Sequence, residues 1–124
     1  MLAYITLGGI LGTLARYVLQ GWIQARSGLA TFPVGTLAIN LAGSFAIGFI
    51  IRLATGSTVI TPEVRAGLTI GFCGAFTTMS TFSYESMRLL ADAEYWAAGL
   101  YMGGTVAGCL GAVIAGTALA SKLL

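Results

Sequence analysis

Gly71-Phe72-Cys73-Gly74-Ala75-Phe76-Thr77-Thr78-Met79-Ser80-Thr81-Phe82-Ser83 is the stretch on which the fold turns. It lies in an uncharged window, residues 66–84, that is long enough to cross a bilayer. Its second half is poorly suited to lipid. Five hydroxyls, Thr77, Thr78, Ser80, Thr81 and Ser83, are interleaved with Met79 and Phe82 and preceded by Gly71 and Gly74. In hydrocarbon, clustered hydroxyls and irregular backbone survive only when buried in protein or lining a wet cavity. The stretch therefore reads as a broken or polar-lined membrane segment that handles a small polar solute or ion. The alternative is an ordinary helix whose Ser and Thr bond back to their own carbonyls. Five hydroxyls in seven residues weigh against it, because each buried polar group left unpaired costs free energy.

The rest of the chain supplies a membrane setting. Of 124 residues, 57% are hydrophobic and 8% charged, too few polar groups to coat a soluble globule. A span takes about 20 apolar residues, so the length accommodates four spans with short loops, a single all-α membrane domain over residues 1–124. There is no histidine, no carboxylate cluster within a span, and the two cysteines, Cys73 and Cys109, sit far apart in hydrophobic windows. Zinc, redox and acid/base chemistry all lack parts, so no enzyme is expected. The first residues lack the cationic start of a signal peptide and are expected to be kept as the first helix.

The spans are expected at about 2–23, 33–53, 62–90 and 95–121. The first carries Gly8, Gly9 and Gly12, a face that admits a neighbouring helix closely. It also carries Arg16, which either snorkels to the interface, or tethers a loop or another chain at a vestibule, or draws anions toward it. Pro33 suits the first turn of the second span. There Thr36, Asn40, Gly43 and Ser44 fall on one helical face. The Asn40 amide is open to two readings: an interhelical hydrogen bond, or a donor aimed at an anion. The third stretch, from Pro62 to Leu90, would be about 43 Å long as a straight helix against a core of ~30 Å. An interruption near 74–78, or an overhang beyond Glu85, would absorb the excess. Glu85 and Arg88, three apart, are expected to pair. On the fourth span Gly99, Gly103, Gly104, Gly108 and Gly111 suggest close-packing faces, and Tyr101, Thr105 and Cys109 recur every four residues as a polar stripe.

Charge leaves the orientation open. With four spans, one side holds Arg52, Arg65 and Lys122 and the other Arg26 and Arg88, with Arg16 if it snorkels there. Orientation follows an excess of Lys and Arg on cytoplasmic loops, and here almost none exists. Such a chain should insert both ways, which suits an antiparallel homodimer about a two-fold axis in the membrane plane.

Three segments, residues 8–17 (GGILGTLARY), 35–48 (GTLAINLAGSFAIG) and 71–83, together resemble the Fluc, or CrcB, fluoride channels, in order and with that family's spacing. The resemblance implies a dual-topology homodimer in the cell (inner or plasma) membrane, with two antiparallel pores that passively export fluoride. By motif position it implies a fluoride pathway of Asn40, Phe82, Met79, Ser80, Thr81, Tyr101, Thr105 and Cys109. Arg16, Thr36 and Glu85 would sit at a pore end or vestibule. Backbone carbonyls of Gly74 and Thr77, from both subunits, would hold a central structural sodium ion.

Two residues depart from the family pattern: Met79 where a Phe is usual, and Cys109 where a hydroxyl is expected. Met has no quadrupolar ring edge, and a thiol is a weak donor. The rival assignment is a small dual-topology multidrug or cation exporter, which needs a membrane-embedded carboxylate, and Glu85 is the sole candidate. A non-transporting membrane scaffold would leave the hydroxyls without a purpose.

Overall fold

Three hydrophobic windows form uninterrupted helices in the computed structural model, which describes residues 1–124. They are α1 (Leu2–Ser27), α2 (Val34–Gly56) and α5 (Tyr95–Leu123). Their 26, 23 and 29 residues make each long and apolar enough to cross a bilayer. Between α2 and α5 lie α3, residues 62–76, and α4 (Met79–Ala91). The chain is all-helical, with no strand.

Local chemistry sets the ends. Gly28 closes α1 in the left-handed region (φ 70°), where a glycine pays no Cβ penalty; α1 thus runs past Ile23 and takes in Arg26 and Ser27. Thr61 caps α3, its hydroxyl accepting the Val64 N–H at 3.3 Å, and Pro62 occupies the first turn, where its missing donor costs nothing. Within α3 the segment Gly67–Cys73 is wound as a π-helix, a widened form frequent at functional positions. The helix stops at Phe76. Thr77 (φ −80°, ψ 158°) and Thr78 (φ −148°, ψ 117°) are extended, and α4 restarts at Met79.

Packing proceeds in two pairs, α1 on α3 and α2 on α5, and glycine makes both close. A Cβ at Gly8 would meet the Gly67 carbonyl and one at Gly12 the Phe72 carbonyl; at Gly48 it would meet the Val113 carbonyl, and at Gly116 the Phe45 carbonyl. Backbone touches backbone, the arrangement by which membrane helices gain van der Waals contact where lipid gives no hydrophobic drive. The fourth-span glycines behave differently from the expectation. Gly99, Gly103, Gly104 and Gly111 have nothing within 4 Å, and Gly108 alone of the five meets a neighbour, Leu41. The backbone contact with α2 is made further along α5, at Gly116; Gly108 touches α2 only through the Leu41 side chain, and the other four face away from it.

Only 22 of 124 residues are buried, and the outside is apolar. Leu7, Leu11, Leu14 and Val18 form one exposed row on α1, and Val106, Leu110 and Ile114 another on α5. A contiguous apolar surface of this extent is matched to hydrocarbon rather than water. The small core, Phe82, Leu89, Ala98 and Tyr101, joins α4 to α5.

Candidate functional site

A helix that stops inside a membrane protein leaves carbonyls at one end and N–H groups at the other without helical partners, and the break at Thr77 and Thr78 can be accounted for group by group. The Cys73 carbonyl receives both the N–H and the hydroxyl of Thr77, at 3.0 and 2.9 Å. The Ala75 carbonyl receives Arg16 Nε from α1 at 3.1 Å. Thr78 is held by Asn40 of α2 on both sides of its peptide: Asn40 Oδ1 accepts the Thr78 N–H at 2.8 Å, and Asn40 Nδ2 donates to the Thr78 carbonyl at 3.2 Å. Thr78 in turn caps α4, its hydroxyl accepting the Thr81 N–H at 3.3 Å and donating to Thr81 Oγ1 at 3.0 Å. Gly43 makes room for the Thr77 methyl, which a Cβ there would strike.

Two consequences follow. The Thr78 N–H that a continuing helix would bring to the Gly74 carbonyl goes to Asn40 instead, so Gly74 keeps a free carbonyl. At the other side, the N–H groups of Met79 and Ser80 open α4 with no turn before them to donate to. The break therefore exposes acceptor oxygens on one side and uncharged donors on the other.

A cavity of about 340 Å³ opens beside the break. Asn40, Thr77, Thr78, Met79, Phe82, Thr105 and Cys109 are among its lining residues, and none of the residues lining it is charged. The Thr105 hydroxyl is buried there with no hydrogen-bond partner. Met79, 72% exposed, stands at the rim. Ser80 is exposed, Thr81 is committed to the cap of α4, and neither borders this space.

Tyr101 is fully buried one step away, with its ring centroid 5.2 Å from Phe82 and 5.7 Å from Phe32, the latter edge-on. Its phenol donates to Glu85 Oε1 at 3.1 Å. The partner of Glu85 is thus Tyr101 on α5 rather than Arg88 on its own helix. Burial favours the ring-supported bond across helices over an exposed pair worth a few tenths of a kcal/mol. Thr36 is also buried and accepts from Gln20 Nε2 at 3.0 Å. Arg16, Gln20, Glu85 and Arg88 line a second, polar cavity of about 490 Å³.

The sequence-predicted residues therefore fall into two groups. Asn40, Met79, Phe82, Thr105 and Cys109 share the uncharged cavity, and Gly74 and Thr77 border it; Arg16 and Glu85 share the polar one, with Thr36 and Tyr101 bonded to its walls. Gln20, the Ala75 carbonyl, Gly43 and Cys73 belong to these arrangements without having been singled out as site residues. A glutamine inside an apolar span was the available signal for Gln20. The others are recognisable only from what they touch.

The model of the family described as "CrcB-like protein, Camphor Resistance (CrcB)" matches residues 3–117. Among curated relatives, the fluoride-specific ion channel FluC of Geobacter sulfurreducens is 48% identical over 119 residues, covering 96% of this chain and 95% of that protein. The channel of the same name from Chlorobaculum tepidum is 48% identical over 113 residues, covering 91% and 88%. That of Sorangium cellulosum is 44% identical over 122 residues, covering 98% and 94%.

Proposed function

The chain belongs to the CrcB-like family, and from that premise we propose that it is a fluoride-selective channel that lets the ion leave the cell passively. It is a multi-pass integral membrane protein and not an enzyme. One observation carries the substrate assignment: the cavity at the break offers hydrogen-bond donors, the Thr105 hydroxyl and the amide of Asn40 among them, and no charged side chain. Fluoride is small and strongly hydrated. A path for it must replace water with donors and ring edges, yet hold no full positive charge that would trap it. Phe82 supplies a ring, and the opening N–H groups of α4 supply fractional positive charge at a helix start.

In this proposal α3 and α4 together make the third crossing, broken at Thr77 and Thr78. Two copies inserted in opposite senses form the working unit, with Tyr101, Thr105 and Cys109 continuing the track and Ser80 and Thr81 on its hydroxyl side. The nearly balanced Lys and Arg count on the two sides supports dual insertion. The polar cavity with Arg16, Thr36 and Glu85 near it would be the vestibule. A sodium ion at the dimer axis would be held by the carbonyls of Gly74 and Thr77. The donor set fits: Gly74 has lost its helical N–H partner, Thr77 is extended, and carbonyl oxygens suit a hard monovalent cation. Such an ion would tie together two facing breaks.

The test is electrode-detected fluoride release from proteoliposomes, run in parallel with chloride and with an organic cation. Fluoride release with vesicles tight to the other two is expected; vesicles sealed to fluoride, or equally leaky to chloride, overturn the assignment. Cation-coupled export would need a carboxylate in the cavity, and its lining has none. Met79 gives a second expectation. An aromatic contact is worth ~0.5–1.5 kcal/mol, so Met79→Phe should change the flux by no more than about tenfold. A silent native channel that conducts only as Met79→Phe would show that the thioether blocks the path.

A further inference from the structure

Residues 28–33 join α1 to α2 with no helix or strand of their own, and one side chain ties them down. Gln24, in the last turn of α1, donates from Nε2 to the Leu29 and Phe32 carbonyls, each at 3.0 Å, and its Oε1 accepts the Gly35 N–H at 2.9 Å. A primary amide has two donor hydrogens and an acceptor, and all of them are used here on backbone. The bond to Gly35 replaces a cap. Pro33 makes no side-chain bond at the start of α2, so the Gly35 N–H has no other partner in the first turn. The two helices also meet at that point, where a Cβ on Gly35 would strike the Gln20 carbonyl.

What this tie holds in place is a ring. Phe32 packs on the small core and meets the Tyr101 ring edge-on at 5.7 Å. Tyr101 is fully buried, with Phe82 at 5.2 Å and its phenol on Glu85 at 3.1 Å. Of the two rings against it, Phe82 is carried by a helix, whereas Phe32 is carried by the segment that only Gln24 secures. We propose that Gln24 is a positioning residue for conduction: by pinning Phe32 on Tyr101 it keeps water from the phenol and the phenol on Glu85. The inference rests on the reading of Tyr101 and Glu85 as parts of the fluoride route. Ordering a loop costs conformational entropy, which the three bonds of Gln24 offset. Gln24, Thr31 and Pro33 also line the polar cavity beside Glu85, so a loosened segment would admit water to the phenol from that side. A hydrogen bond that water can compete for loses most of its net worth and its fixed direction.

Gln24→Met keeps the length of the side chain and removes all three bonds. In detergent-purified protein with labelled tyrosine, the Tyr101 ring resonances, assigned by their loss in Tyr101→Phe, are expected to move in Gln24→Met and to move the same way in Phe32→Leu. Fluoride flux from proteoliposomes should fall by about two- to tenfold in each, and in the double variant no further than in Phe32→Leu alone. A tie that served only to stabilise the fold would give losses that multiply. Multiplied losses, or Tyr101 resonances unmoved in Gln24→Met, overturn the proposal. Should Gln24→Met fail to fold, Gln24→Glu takes its place in the resonance measurement, since a carboxylate keeps the acceptor for the Gly35 N–H and loses both donors. Native vesicles sealed to fluoride would sink the channel reading and this role in conduction with it, whereas unmoved resonances in a conducting protein sink this proposal alone.

Discussion

Asn40→Ala is expected to lower fluoride flux by about a hundredfold or more, a barrier increase of about 2.7 kcal/mol, while the protein still inserts. The size of the effect comes from what the amide holds. Asn40 bonds both the N–H and the carbonyl of Thr78, and alanine leaves the two groups without these partners. Each unsatisfied buried group costs ~1–3 kcal/mol, and the chain has a cheaper arrangement within reach. The Thr78 N–H can return to the Gly74 carbonyl one turn back, resuming the α-helical ladder through the break. Without the interruption, the α3–α4 segment has no free donors at the start of α4 and no unpaired carbonyl at Gly74. Asn40→Asp sharpens the test, because a carboxylate still accepts the Thr78 N–H but loses the donor to its carbonyl and brings a charge that repels an anion. Flux measured by electrode, with amide hydrogen exchange read at Thr78, distinguishes the two modes of failure. Asn40→Ala conducting at the native rate would mean that the splint is dispensable.

The sequence made the three long apolar helices and the helix interruption at Thr77 and Thr78 legible because both are local properties. Hydrophobic windows set the helices, and five hydroxyls in seven residues mark where one cannot continue into lipid. Partnership was less legible, since it depends on packing between segments distant in the chain. The Asn40 face could be drawn from helical periodicity, but not its target, which lies 38 residues away. Arg16 was open between snorkelling and tethering, and it bonds the last turn of α3, 59 residues on. Glu85 shows the same limit in reverse: three-residue spacing to Arg88 favours a local pair, and a buried phenol from another helix wins. Glycine was ambiguous for a related reason. Gly8 and Gly12 look no different in sequence from Gly103 and Gly104, yet the first two meet backbone and the last two meet nothing. A glycine states that a helix can approach, not that one does.

That distinction yields the second large effect. Gly12→Ala, and likewise Gly8→Ala, is expected to destabilise the fold, whereas Gly21→Ala on the same helix should be neutral or stabilising by ~0.5–1 kcal/mol from helix propensity. Open space surrounds Gly21. At Gly8 and Gly12 the added methyl would run into the carbonyls of Gly67 and Phe72, and a backbone atom in a helix cannot rotate aside as a side-chain tip can. Overpacking of this kind costs ~1–3 kcal/mol or more, here compounded by lost contact along the whole α1–α3 seam, which is what holds membrane helices together. The damage extends to the site. Arg16 sits one turn beyond Gly12 and reaches the Ala75 carbonyl only while α1 lies flush on α3, so a separation of the two helices frees the end of α3 just before the break. Gly12→Ala should therefore unfold earlier in a detergent denaturation series and conduct poorly even where it remains folded. Equal stability of Gly12→Ala and Gly21→Ala would refute backbone contact as the basis of the α1–α3 pair.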